Sequence, residues 1–184
     1  MSILDIRVLG DPVLRKETEV VETVTDDIRK LIGDMFDTMY AAEGIGLAAP
    51  QVGRTERVTV MDVEGKKFAL VNPEILEKEG SIRGEEGCLS IPDIFGEVDR
   101  AKRVVVSALD ENGNEIELEG TELLARCLQH EIDHLHGKLF LDYLSVLKRR
   151  AALAKWETLK GDYPTFVRKV KLEKKGAHHS EGEL

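Results

Sequence analysis

Residues 130–134 combine two histidines and a glutamate at the spacing of a catalytic metal site. His130 and His134 stand four residues apart, so on a helix they share one face and lie about 6 Å apart along its axis. Two imidazoles at that spacing can bind one metal ion, and Glu131 can take a proton from water near that ion. The pattern predicts metal-assisted hydrolysis of an amide. The alternative is a pair of surface histidines on an acidic helix.

Two histidines leave a catalytic metal short of one protein ligand, and the chain has two cysteines, Cys88 and Cys127. Cys127 precedes His134 by seven residues, about 10.5 Å along a helix. Ligand bonds of about 2.0 to 2.3 Å do not comfortably close that gap. We therefore predict that Cys127 is an apolar residue one turn from the metal, lining a pocket, and that Cys88 is the third ligand. The glycine and proline near Cys88 predict an irregular loop; a buried cysteine without chemistry is the alternative.

Apolar residues at three- and four-residue spacing predict the helices that must position this site. They predict amphipathic helices over about residues 26–42, capped by Thr25, and over the histidine segment 121–137, which Gly137 ends. A third helix is predicted from Ser145 to near Gly161. The tail beyond Leu172 is predicted to be disordered.

Short strand-like runs lie between the first two helices. Residues 58–63 and 68–71 flank one predicted hairpin turn, and residues 104–109 and 116–118 flank an Asn112-Gly113 turn. Asn72-Pro73 predicts a break before a further run at residues 75–76. Tight turns indicate antiparallel pairing rather than βαβ units. The predicted fold class is α+β, with antiparallel β-sheets packed around a central metal-binding helix, an N-terminal helix and a C-terminal helix.

Length and charge place limits on the class of protein. The 184 residues suit one domain, and no apolar run is long enough for a signal peptide or a membrane helix. We expect a cytoplasmic protein with no DNA or membrane partner. The net charge is −9, yet residues 148–175 carry ten basic and three acidic side chains. This segment favours contact with a polyanion, and a solvated basic helix face is the alternative. We expect a catalytic part at 1–147 and a basic C-terminal helix and tail at 148–184, within the same domain or as an extension.

Residues 44–51 (GIGLAAPQ) are rich in small side chains, which lets another backbone or a substrate approach closely. Their composition alone favours a structural turn. No strand precedes them, so a nucleotide-binding glycine loop is not indicated.

Three segments together resemble the signature motifs of the peptide deformylase family, in the family's order: residues 44–51, residues 86–90 (EGCLS) and residues 129–137 (QHEIDHLHG). The similarity extends from the start of the chain through residue 144. The resemblance implies removal of the formyl group from the formylmethionine of nascent polypeptides, which releases formate and a free amine.

The resemblance also implies a role for individual residues. Cys88, His130 and His134 match the ligands of a divalent ion, natively Fe²⁺, which Zn²⁺, Ni²⁺ or Co²⁺ can replace in purified protein. Glu131 matches the general base and acid. The remaining matches are the oxyanion-stabilising Gln51 and backbone N–H of Leu89, the peptide-binding strip at Ile45, Gly46 and Gly87, and Arg100 as a brace for Glu86.

Two features depart from or extend the resemblance. Some relatives carry a substrate-contacting arginine where this chain has Phe95. The C-terminal helix of bacterial relatives docks on the ribosome, which the basic segment predicts here through phosphate contacts. Residues 163–184 receive no role.

Two other functions compete with deformylation. A zincin-like endoprotease would use the same histidine motif, but it normally needs a downstream histidine or glutamate ligand. A structural metal or RNA-binding module would need a fourth protein ligand to close the site.

Overall fold

The structure, a computed structural model, describes residues 2–172 of the chain. The disorder predicted beyond Leu172 therefore concerns residues outside the described part. No helix within residues 2–172 is long and apolar enough to cross a membrane.

Within residues 2–172, three α-helices and nine strands make up the main elements of the fold. The helices are α1 (Asp26–Ala41), α2 (Glu122–Leu135) and α3 (Val146–Leu159). The strands are β1 (Ile6–Arg7), β2 (Gly46–Ala48), β3 (Val58–Val63), β4 (Lys66–Glu79), β5 (Ile82–Cys88), β6 (Ile91–Arg100), β7 (Arg103–Leu109), β8 (Glu115–Thr121) and β9 (Val167–Arg168). The predicted α+β class is confirmed.

The strands form three antiparallel groups. A five-stranded sheet has the order β2-β3-β4-β7-β8, and β5 pairs with β6, and β1 with β9. Helix α2 packs against β2, β3, β7 and β8 of the large sheet and against β6 of the hairpin. The helix that carries the histidines is therefore enclosed between the two sheets.

The helices form where the sequence predicts them because their ends carry the expected signals. The Thr25 side chain accepts a hydrogen bond from the Ile28 N–H, and the Ser145 side chain accepts one from the Lys148 N–H. Helix α2 ends before Gly137, whose φ is +72° and where a Cβ would lie 2.5 Å from the Arg15 carbonyl oxygen. Only glycine fits that approach without displacing the neighbouring backbone.

The predicted break at Asn72-Pro73 is wrong, because β4 runs through both residues from Lys66 to Glu79. A register shift lies between Val71 and Glu74, so the proline stands at a bulge, where no N–H is needed for the ladder. The Asn72 side chain bonds to both the N–H and the carbonyl of Val21, each at 2.8 Å. These two bonds fix the backbone at the irregular position.

The structure also differs from the sequence-based expectation around Cys88. Residues 82–100 do not form an irregular loop but the antiparallel hairpin β5–β6. A register shift between Glu86 and Cys88 accommodates the glycine. Residues 44–51, expected as a turn, instead include β2 and a short 3₁₀ helix from Ala49 to Val52. Sheet pairing overrides local composition in both segments.

Candidate metal centre

The predicted metal ligands and base come together in the interior. His130, Glu131 and His134 lie on α2 and are at most 2% exposed, and Cys88 at the end of β5 is fully buried. The apolar face of α2 packs on the large sheet, so its histidine-bearing positions face the hairpin. The helix places two of the candidate ligands by its own period, and the hairpin places the third.

The three ligand atoms have the spacing that one ion requires. The Nε2 atoms of His130 and His134 are 3.1 Å apart, and the Cys88 Sγ lies 3.4 Å from the His134 Nε2. Ligands at about 2.0 to 2.3 Å from one tetrahedral ion lie roughly 3.3 to 3.6 Å from each other. All three atoms fall within 4.8 Å of one another. The residues therefore fit one divalent metal ion, and three protein ligands leave the fourth position open for chemistry.

Glu86 orients the first histidine. The Nδ1 of His130 lies 2.8 Å from the Glu86 Oε1. Burial alone would raise the pKa of Glu86, but hydrogen bonds from Arg100 and His130 lower it well below its usual value. The carboxylate is thus an acceptor, so His130 donates from Nδ1 and keeps the Nε2 lone pair for a metal.

Arg100 bonds to Glu86 through both of its carboxylate oxygens. Its Nε and Nη2 donate to the two Glu86 oxygens at 2.9 and 2.8 Å, and its Nη1 donates to Asp133 at 2.6 Å. The Tyr143 hydroxyl donates to the same Asp133 oxygen at 2.7 Å. Burial is the larger cause and this hydrogen bond the smaller one, and together they raise the pKa of Tyr143 to about 12.

Sequence reasoning missed a second brace, Arg126. Its Nη1 donates to the Glu86 Oε2 at 2.6 Å and to the Val98 carbonyl at 3.0 Å, and its Nη2 donates to the Ile82 carbonyl at 2.8 Å. A Cβ on Gly84 would lie 3.0 Å from this guanidinium. The sequence did contain a signal for Arg126. It precedes His130 by four residues and so shares its helical face, and an arginine is unusual on a face that is predicted to be buried.

Glu131 lies fully buried beside β2. Its Oε2 is 3.5 Å from the Thr59 hydroxyl, and a Cβ on Gly46 would lie 2.5 Å from its Oε1. Gly46 is therefore glycine because the carboxylate occupies the space of a side chain. Burial raises the pKa of Glu131 well above its usual value, and a bound cation would lower it again. Such a group can hold a proton and release it.

The remaining titratable groups behave as the ligand assignment requires. Burial lowers the pKa of His134, so its imidazole is neutral and can bind a metal. Burial raises the pKa of Cys127, which keeps that thiol protonated and apolar. Its Sγ lies 3.9 Å from the Ile45 carbonyl, and it is not among the grouped ligand atoms.

Gln51 and Leu89 lie on either side of Cys88. The Gln51 Oε1 accepts from the Ala48 N–H at 2.9 Å, which directs its Nε2 to the Cys88 Sγ at 3.5 Å and to the Ser90 hydroxyl at 3.2 Å. Leu89 follows Cys88 directly and is fully buried. Its N–H belongs to the peptide bond that leaves the cysteine.

The expected peptide-binding residues lie at two backbone edges. Ile45 precedes β2, and Gly46 begins it; within residues 2–172, β2 is an edge strand that pairs only with β3. Gly87 lies at the register shift of β5. Phe95, at the position of the arginine that some relatives carry, is 48% exposed on β6.

Comparison with known proteins identifies the family of this site. The sequence profile described as Polypeptide deformylase matches residues 3–150. A peptide deformylase of Alkalilimnicola ehrlichii is 55% identical over 163 residues, which cover 86% of this chain and 92% of that protein. The chain belongs to the peptide deformylase family. The resemblance drawn from three short motifs is thereby confirmed.

Solved structures agree with that family. A peptide deformylase from Legionella pneumophila superposes with a TM-score of 0.82 at 48% identity and covers 89% of this chain and 100% of its own. One from Ehrlichia chaffeensis, in complex with actinonin, gives 0.83 at 43% identity, with 90% and 100% covered. Peptide deformylases are metal-dependent enzymes that remove the N-formyl group from nascent polypeptides. The predicted hydrolase function is confirmed at that level.

Proposed function

We propose that this chain deformylates N-formylmethionyl peptides with one Fe²⁺ ion held by Cys88, His130 and His134. The observation that carries the proposal is the convergence of three buried ligand atoms within 4.8 Å, beside a buried glutamate. A divalent ion at such a site supplies Lewis acidity, which activates water and polarises a carbonyl oxygen. The thiolate makes the ligand set softer than three histidines, which suits iron or zinc.

Glu131 is the proposed general base and acid. Its carboxylate accepts the proton of the attacking water and returns it to the nitrogen of the leaving amine. The water oxygen ends in formate, and the peptide leaves with a free amino group. Burial supports this role, because a carboxylate with a raised pKa is a stronger base and accepts the water proton more readily.

Gln51 and Leu89 are the proposed stabilisers of negative charge on the formyl oxygen. The Gln51 amide is oriented by its bond to Ala48, which holds its Nε2 donor beside Cys88. The Leu89 N–H is fixed by the turn that follows Cys88. Preorganised donors of this kind stabilise the transition state more than the ground state.

The substrate peptide is proposed to lie as an added strand along Ile45, Gly46 and Gly87. The edge position of β2 within residues 2–172 supports this placement, because an exposed strand edge offers backbone hydrogen bonds to an extended peptide. Cys127 would then lie behind the strip and shape the pocket for the methionine side chain. Its buried, protonated thiol is suited to an apolar contact.

The deciding experiment is an anaerobic assay on N-formyl-Met-Ala-Ser and on its N-acetyl analogue, with an internal-bond peptide as the protease substrate. We expect formate release from the first peptide and no cleavage of the third. Cleavage of the internal bond without formate release would overturn deformylation in favour of the zincin-like function.

The identity of the ion needs its own test. We expect apo protein loaded with Fe²⁺ under argon to turn over faster than protein loaded with Zn²⁺, with Ni²⁺ and Co²⁺ as further arms. Metal analysis of each sample confirms the loading. Equal or greater activity with Zn²⁺ would contradict the assignment of iron.

The basic C-terminal segment is proposed to dock the enzyme on the ribosome in the cytoplasm. Helix α3 supports this proposal because Val146 and Leu147 are 60% and 76% exposed beside Lys148, Arg149 and Arg150. We keep the division into a catalytic part at 1–147 and a basic part at 148–184 as part of the same proposal. Ribosome pelleting at increasing salt tests it: reversing the charges at Lys148, Arg149 and Arg150 should abolish binding, and unchanged salt-sensitive binding would contradict it.

A further inference from the structure

The chain after α3 returns to the metal centre. Strand β9 pairs with β1, with Arg168 opposite Ile6, and the Val8 N–H donates to the Phe166 carbonyl at 3.0 Å. The Lys169 Nζ pairs with Asp5 at 2.6 Å on the surface. In each contact, one partner lies beyond residue 150, where the match to the family profile ends.

The path of this segment is tightly constrained. Thr165 and Phe166 have φ values of +59° and +58°, a left-handed conformation that is costly for such side chains. Gly10 admits the Phe166 ring, since a Cβ there would lie 2.5 Å from the ring. A strained reversal persists only where the surrounding contacts hold it, so the segment is a built part of the fold.

Arg168 reaches the residue that follows the cysteine ligand. Its Nη1 donates to the Leu89 carbonyl at 2.9 Å, across 79 residues of sequence. The next residue, Ser90, is held from two other sides: its carbonyl accepts from the Leu9 N–H at 2.9 Å, and its hydroxyl accepts from the Gln51 Nε2 at 3.2 Å. Arg168 thus adds the bond that fixes the Leu89–Ser90 peptide plane itself.

We infer that Arg168 is a positioning residue for deformylation: by fixing the Leu89–Ser90 peptide it restricts the backbone torsion angles of Leu89. The adjoining Cys88–Leu89 peptide, whose N–H is the proposed donor to the formyl oxygen, is thereby held in place. This inference rests on the proposed function and on the donor role of Leu89. A charged donor forms a stronger hydrogen bond to a carbonyl than a neutral one does. The guanidinium therefore restricts rotation of the turn while Cys88 stays on β5.

The consequence is confined to the transition state. Charge on the formyl oxygen grows during the reaction, so a misdirected N–H weakens transition-state stabilisation more than substrate binding. We expect Arg168→Ala to lower kcat roughly tenfold, below the loss for removing an oxyanion donor outright. KM and bound metal should stay unchanged.

The matched control is Lys169→Ala. It removes the same charge from the neighbouring residue, whose partner Asp5 lies on the surface. Arg168→Lys is the conservative variant and should recover part of kcat, since a single donor can still reach the carbonyl. Each protein is assayed on N-formyl-Met-Ala-Ser with metal content, Tm and hydrogen exchange of the 86–92 segment measured on the same sample.

The expected result is a lower kcat with faster exchange in the 86–92 segment for Arg168→Ala, and wild-type behaviour for Lys169→Ala. Unchanged kcat in Arg168→Ala overturns the inference. A rise in KM alone, a loss of bound metal, or an equal loss of kcat in Lys169→Ala overturns it as well. If the wild-type enzyme itself releases no formate, the proposed function fails, which is a separate outcome.

Discussion

The two histidines of α2 stand one turn apart in contrasting surroundings. The Nδ1 of His130 is bonded to Glu86, and within the described part of the chain Glu86 accepts four hydrogen bonds, from His130, Arg100 and Arg126. On the other side, the His134 Nδ1 and the Glu131 Oε1 are buried without a hydrogen-bond partner within residues 2–172. One side of the site is saturated with hydrogen bonds, and the other keeps polar atoms uncommitted.

This difference separates the residues that hold the candidate ligands in place from the residue proposed to exchange a proton. Buried polar atoms are normally paired, because an unpaired one costs free energy. The saturated side fixes His130 and the hairpin that carries Cys88, so it sets the geometry of the ligands. The uncommitted Glu131 oxygen has no competing hydrogen bond within residues 2–172, as the proposed proton exchange requires. Substitutions on the Glu131 side should therefore lower kcat, and substitutions on the Glu86 side should lower stability or metal affinity.

The largest effect is expected on the reacting side. Glu131→Gln keeps the shape of the side chain but removes the proton acceptor, so kcat should fall by about 10²- to 10⁴-fold. Bound metal should be retained, and the Tm should not fall, because the lost oxygen had no hydrogen-bond partner within residues 2–172. Steady-state kinetics and metal analysis check this, and full activity with bound metal would refute the role of Glu131.

The second effect is expected on the holding side and concerns folding. Glu86→Ala leaves the buried guanidinium groups of Arg100 and Arg126 without their carboxylate, which should cost about 3–5 kcal/mol of unfolding free energy. Urea denaturation of metal-free protein measures this loss without a contribution from metal binding. Glu85→Ala is the matched control, because Glu85 is the preceding residue and its side chain is exposed, so its loss should change stability little. Similar losses in both variants would contradict a special role for Glu86.

The third effect is a loss of metal affinity on the same side. Arg126→Met keeps the bulk of the side chain but releases Glu86 and the hairpin carbonyls, so metal affinity should fall by about 10- to 100-fold. Competition with a chelator measures the affinity. Arg83→Met is the control: Arg83 pairs with Asp99 on the exposed face of the same hairpin, and such pairs contribute little.

Gly84→Ala sharpens this third test. Its Cβ would lie 3.0 Å from the Arg126 guanidinium, so it should weaken metal binding by displacing that group. In the Arg126→Met background the same substitution should have no further effect on affinity, since the displaced group is gone. Additive losses in the double variant would show that Gly84 acts through something other than Arg126.

Part of the fold could be predicted because it depends on local periodicity. The boundaries of α1, α2 and α3 follow from apolar spacing and caps such as Thr25, Ser145 and Gly137. The hairpins at residues 58–71 and 104–118 follow from turn residues. The long β4, the β5–β6 hairpin and β9 were not predicted, because glycine and proline suggest loops until a partner strand supplies the ladder.

The sequence by itself indicated the chemistry in two ways. It places two imidazoles and a carboxylate close together on one helix, and its three motifs identify a family whose reaction is known. A helix fixes the relative positions of residues four apart, so no further information was needed. Only the tertiary structure decided what surrounds that face. Cys88 and Arg168 reach the centre from distant segments, through sheet registers and a chain reversal that depend on packing throughout the molecule. Arg126 lies on α2 itself, but its contacts with Glu86 and with the hairpin carbonyls exist only because β5 and β6 pack against that helix.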